Sequence, residues 1–207
     1  MLLKDVFTSL LSKYTNDSKL IELLWKEIEN KYNKKNRYYH NLKHLEYLYQ
    51  RLINVKDQIT DWDMVLFALF YHDYVYNVLK KDNEQQSAVK AEAILRALGI
   101  ENDRVELCKE IILATKSHTI SKNEDINFFT DADLSILGSD WENYKVYFKN
   151  VRKEYKYYPA FMYSKGRIKV LEHFLNMPKI FKTEHFYQKF EAQAKKNMKR
   201  EIDFLSK

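Results

Sequence analysis

Turn formers are scarce: the 207 residues include only three Gly and two Pro. A β-rich chain of this length needs many more, so the scarcity argues for an all-α fold. Cysteine is scarcer still. A single residue, Cys108, excludes an internal disulfide and suits a reducing compartment. It also excludes a zinc site built from clustered thiolates. Long apolar runs are missing as well, and the stretch Met64–Tyr71 falls far short of the about 20 residues a spanning helix needs. The start, Met1-Leu2-Leu3-Lys4-Asp5, has no apolar leader core because polar and acidic residues interrupt it. These readings predict a cytoplasmic protein with no membrane partner.

Aromatics are abundant, with 16 Tyr and 12 Phe, so the core is expected to be bulky. Stripes such as Tyr144-Tyr147-Phe148 read as core packing rather than platforms for bases. The net charge is +6, which suits an anionic substrate or a nucleic acid. The basic pairs Lys34-Lys35, Lys80-Lys81 and Lys195-Lys196 are spread out, however, and read as solvated helix faces, so nucleic acid is the less favoured partner.

The chain carries no repeat, no low-complexity tract and no Gly-, Pro- or Ser-rich linker. One domain over 1–207 is the economical reading, with a core at about 38–140 and a helical extension at about 141–207. Periodicity predicts helices near 3–14, 17–32, 41–54, 61–77, 84–98, 102–117, 131–137, 141–156, 159–176 and 184–205. Asn16-Asp17-Ser18 and Asp61 have the chemistry of N-caps, and Gly99 that of a C-terminal stop. Pro159 suits a first helical turn. The polar run Ser117–Asp125 reads as a loop.

Chemistry concentrates in three places. His40 and His44 are four residues apart, which on a helix puts them on one face. His72-Asp73 closes the apolar run Met64–Tyr71, where a carboxylate needs a compensating positive charge. Asp131-Ala132-Asp133 is expected to open a later helix. His44, His72, Asp73 and one of Asp131 or Asp133 are thus candidate ligands. Imidazole and carboxylate together suit Mn, Mg, Fe, Ni or Zn.

With these residues in view, the chain resembles the HD-domain superfamily of metal-dependent phosphohydrolases, whose pattern is His … His-Asp … Asp. Tyr39-His40-Asn41-Leu42-Lys43-His44 is similar to the Tyr-His-Asn-x-x-His motif of class I cyclic-nucleotide phosphodiesterases in that superfamily. Ile112-Leu113-Ala114-Thr115 followed by His118 resembles a second phosphodiesterase stretch. Segments 39–44, 72–76, 82–88, 131–138 and 166–167 resemble a group of predicted HD phosphohydrolases of about this length.

The resemblance implies an HD-like helical bundle with additional C-terminal helices. It implies metal ligation by His44, His72, Asp73 and Asp133, with Asp131 as the alternative, and a second-metal role for His118. His40 takes the place of the histidine that protonates the leaving oxygen, and imidazole has the pKa for that work. Glu84 is implied to orient water or His40, and Asn83 to bond a phosphate or ligand. Lys116, Arg152 and Arg167 are implied phosphate contacts. His173 and His185 fall outside the matched patterns and read as structural. The expected activity is hydrolysis of a small phosphomonoester or phosphodiester, that of a nucleotide above all, through a metal-activated water. The alternative is a non-catalytic nucleotide- or nucleic-acid-binding module on the same scaffold. A plain helical interaction protein is a third reading, and it requires every one of these polar patterns to be coincidence. Oligomeric state is not legible in the chain.

Overall fold

The computed structural model describes residues 2–207; Met1, where both the leader reading and the single-domain range begin, lies outside them. The described residues form ten α-helices, two short 3-10 turns and no strand, so the all-α class holds. The helices are α1 (Leu2–Leu11), α2 (Ser18–Tyr32), α3 (Leu42–Ile53), α4 (Trp62–Tyr71), α5 (Asn83–Ala97), α6 (Asn102–Ala114), α7 (Glu124–Leu134), α8 (Trp141–Glu154), α9 (Ala160–Leu175) and α10 (Glu184–Leu205). No helix among the described residues is long and apolar enough to cross a membrane. The chain groups into two compact units, one ending at Thr130 and the other running Asp131–Lys207. The expected core of 38–140 and extension of 141–207 divide the chain at a different place, and α7 runs unbroken through the observed boundary.

In the first unit α4 is the central helix. Every residue from Met64 to Tyr71 is buried, because α1, α3, α5 and α6 all pack on it. Its Phe70 meets the Phe7 ring edge-on at 4.9 Å and the Trp25 ring at 6.5 Å, which draws α1 and α2 onto the same core. Local caps fix the helix ends. Asp17 accepts from the N–H groups of Lys19 and Leu20 at the start of α2, and Asp61 accepts from Met64 N–H at the start of α4. After α5, Gly99 adopts φ +72°, Ile100 N–H bonds Leu95 O, and Gly99 N–H bonds Arg96 O. This paired pattern satisfies the last carbonyls and turns the chain into α6.

Two helices depart from the periodicity reading. The segment predicted at 61–77 is helical only to Tyr71. Tyr74, Val75 and Tyr76 continue the apolar pattern without the helix, and Val75 N–H is taken by the Ser87 hydroxyl at 3.0 Å. The helix predicted at 131–137 is α7, Glu124–Leu134, and it begins inside the expected loop. Its polar opening serves packing. Asp125 accepts from the N–H groups of Thr60 and Asp61 at 2.8 Å each, and the Asn127 amide closes on Ser121. Asp131-Ala132-Asp133 therefore ends a helix instead of opening one.

In the second unit, α10 packs against α9 and against the 3-10 turn Ser135–Gly138. Gly138 permits this approach, since a Cβ there would stand 2.5 Å from Phe190 Cβ and 2.6 Å from its carbonyl oxygen. Buried carboxylates hold the rest. Glu201 takes Arg167 in a two-pronged pair and also accepts from the Tyr144 hydroxyl. Glu191 accepts from the N–H groups of Ile180 and Phe181.

Candidate metal centre

Asn41 sets the first ligand. Its side chain accepts from Lys43 N–H and donates to Tyr38 O, so it is the N-cap of α3. His44 then falls in the first turn of that helix, 4% exposed. His40 precedes the cap, so the two histidines do not share a helix as the spacing suggested. Their rings are still neighbours, with centroids 5.8 Å apart.

His72 supplies the second ligand at the C-cap of α4, 2% exposed. Its Nδ1 lies 3.1 Å from Leu69 O. A carbonyl only accepts, so Nδ1 carries the proton, and in the neutral ring the Nε2 lone pair faces outward. That Nε2 lies 3.2 Å from His44 Nε2. Asp73 Oδ2 stands 3.2 Å from His72 Nε2 and 3.8 Å from His44 Nε2. Two nitrogens sharing one ion with bonds of about 2.1 Å stand roughly 3.0–3.4 Å apart, so the imidazole spacing fits shared ligation. The Leu69 carbonyl on Nδ1 is the outer partner that orients a ligating histidine.

Burial pushes the Asp73 carboxyl up, but the imidazoles of His72, His40 and His44, when they carry a proton toward it, outweigh burial and hold the group well below the usual carboxylate range. Three imidazoles thus attend this one carboxylate, and its main chain is tied separately by Arg37.

Asp133 joins through α7. Phe129 on that helix meets the His72 ring edge-on at 5.6 Å, and Asp133 lies four residues on, one turn along the same face. His44, His72 and Asp133 each offer one ligand atom, and these atoms lie within 4.8 Å of one another. A His/Asp group able to hold a metal ion is therefore present. Carboxylates in a last helical turn oppose the helix dipole and need compensation. For Asp131 it is plain. The residue is fully buried, accepts from Lys182 N–H, Thr183 N–H and the Thr183 hydroxyl at 2.7–2.9 Å, and has Lys182 Nζ at 3.3 Å. Asp131, the alternative ligand, thus anchors the chain entering α10. Burial drives its carboxyl up and the Lys182 ammonium down, each against the pull of the other.

The remaining expected site residues have other engagements. Asn83 accepts from Asn77 N–H and donates to Asn77 O, which closes the loop after the His-Asp turn. Glu84 sits half-buried in the first turn of α5, where the helix dipole favours an acid. His118 adopts φ +53° just past α6 and is not in the His44–His72–Asp133 group. The three cations expected on phosphate are committed within the protein. Lys116 donates to Lys81 O at 2.9 Å. Arg152 donates to Tyr155 O and Tyr158 O beyond the end of its own helix. Arg167 holds Glu201. Those partners lie close in space and, for Glu201, 34 residues away in sequence, so local motif reading misses them. Arg37 and Lys182 escaped the sequence reading because each is an ordinary basic residue until its surroundings are seen.

Compared with known proteins, the chain matches no family model, no curated protein and no solved structure.

Proposed function

We propose that the chain is a metal-dependent phosphohydrolase of the HD kind, acting on a phosphomonoester or phosphodiester, that of a nucleotide above all. The observation that carries this reading is the approach of two buried imidazole Nε2 atoms to 3.2 Å, with carboxylates beside them. His44, His72, Asp73 and Asp133 are the residues that would hold the ion. A divalent cation in that set supplies a Lewis acid for a phosphoryl oxygen and lowers the pKa of water.

The protein's own groups do the rest. The Leu69 carbonyl keeps the His72 proton on Nδ1, so Nε2 stays available as a ligand. Asp73 and Asp133 bring negative charge that offsets a dication. His40 is the proton donor to the departing oxygen. It is half-buried, ring to ring with His44 and stacked on Tyr76 at 4.3 Å, so it sits beside the ligands and can recover its proton from solvent. The chain's +6 charge favours an anionic substrate.

Metal analysis of the untagged protein, coupled to a screen of nucleotide mono-, di- and cyclic phosphates with Mn, Mg, Ni and Fe added back, tests the reading. Stoichiometric metal and metal-dependent hydrolysis are expected, lost in His72→Ala and Asp73→Ala with helicity retained. Undiminished turnover in those two variants would overturn it.

A further inference from the structure

We infer that Arg37 is a positioning residue that holds the His40 acid in register with the His72-Asp73 turn. The inference rests on the phosphohydrolase reading. Arg37 is only 6% exposed, yet its hydrogen bonds run to main-chain carbonyls. One terminal nitrogen donates to His40 O at 3.2 Å and to Asp73 O at 2.8 Å, and the other to Tyr74 O at 3.1 Å. Burying a guanidinium against neutral carbonyls alone is costly, because no anion returns the lost hydration. The carbonyls it joins belong to the two segments that carry the proposed chemistry, and Asp73 lies 36 residues from Arg37 in sequence.

The flat faces of the guanidinium are used as well. It lies over the Tyr32 ring at 4.8 Å and the Tyr76 ring at 5.4 Å. Tyr76 in turn stacks on the His40 imidazole at 4.3 Å with planes 29° apart. Arg37 therefore fixes His40 twice, through its main-chain carbonyl and through a layered contact to its ring. The same nitrogen that reaches His40 also reaches Asp73, which couples the acid to the ligand turn. Lysine cannot replace this, since one ammonium on a flexible stem has no planar fork and no flat face.

The test compares two substrates of the metal-loaded enzyme. Nucleoside 5′-monophosphate has an alkoxide leaving group that needs a proton, whereas p-nitrophenyl phosphate releases a phenolate that does not. Arg37→Lys, which misplaces the acid without removing it, is expected to slow the nucleotide by at least about tenfold, less than the about 100–10,000-fold of a lost general acid, and p-nitrophenyl phosphate by less than about threefold. His40→Ala should show the same selectivity more strongly. Tyr76→Leu, which breaks the stack, should show it too, while Tyr76→Phe, which keeps the ring, restores the wild-type ratio of the two rates. The Tyr76 pair decides the matter if Arg37→Lys does not fold. A selective His40→Ala beside unselective Arg37→Lys and Tyr76→Leu would overturn the inference alone. An unselective His40→Ala would overturn the acid role of His40 and this inference with it.

Discussion

Replacing His72 with alanine removes one of two imidazole donors and one of the closest contacts of the cluster, the 3.2 Å approach to His44. In the wild type, an ion that binds only the folded chain adds RT ln(1 + [M]/Kd), or about 2.7 kcal/mol at a free concentration of 100 Kd. For a chain of 150–250 residues each kcal/mol moves Tm by about 2–4 °C, so the metal-dependent shift should be about 5–11 °C. Loss of even an outer-shell partner lowers metal affinity about 10–100-fold, and a direct donor costs at least the upper figure. At the same ion concentration the variant then sits near its own Kd, where the gain is RT ln 2, about 0.4 kcal/mol, or about 1–2 °C. Thermal scans with and without Mn, Ni or Zn, after stripping with a chelator, read this directly. A wild type without a shift, or a His72→Ala protein that keeps the full shift, refutes shared ligation. The cavity left by the ring does not confuse the test, because it lowers both His72→Ala scans alike.

Other perturbations test the scaffold. Gly138→Ala forces a Cβ to 2.5 Å from Phe190 Cβ and 2.8 Å from its Cα, so α10 must retreat; a loss of about 1–3 kcal/mol in urea unfolding is expected. Gly166→Ala, inside α9 with nothing within 4 Å of the new Cβ, should instead gain about 0.5–1 kcal/mol by the same assay. Burial raises the Asp61 carboxyl, but Arg104, at 2.7 and 2.9 Å, and Met64 N–H pull it net below its ordinary 3.8. The folded value is depressed, so its stabilisation is full above 3.8 and is lost as pH falls through the folded pKa. Unfolding of Asp61→Asn against wild type should show a deficit of about 1.5–3 kcal/mol at neutral pH that narrows in acid; a gap unchanged by acid contradicts the assignment.

What was legible in the chain is what is written locally. Asp17, Asp61 and Gly99 mark helix ends through groups two to five residues away, and each was readable. The imidazole pair was readable from the order of the patterns, paired histidines and then a His-Asp step closing an apolar run, since a His-Asp step alone is a weak signal. The start of α7 was not, since Asp125 is occupied by Thr60 and Asp61, 65 and 64 residues distant, and looks like loop chemistry in isolation. Asp131 and Asp133 looked like a helix opening because acids favour first turns. They close one, and for Asp131 its partners Lys182 and Thr183 override the dipole. Long cationic side chains were the least readable class: Arg167 reaches a carboxylate 34 residues away and Arg37 two carbonyls 36 and 37 residues away, while Arg152 turns back on main-chain carbonyls just past its own helix.

The ring that ends α4 has a consequence for binding. A ligand mounted on a loop can swing away while the core stays shut. His72 cannot, because its Nδ1 bond to Leu69 and its main-chain bond to Ala68 are part of the last turn of a helix with no exposed residue between Met64 and Tyr71. Freeing the donor means fraying that turn into the interior, an opening drawn from the most protected end of the exchange spectrum. The donor is therefore in place before any ion arrives, and binding costs little further ordering of this side chain.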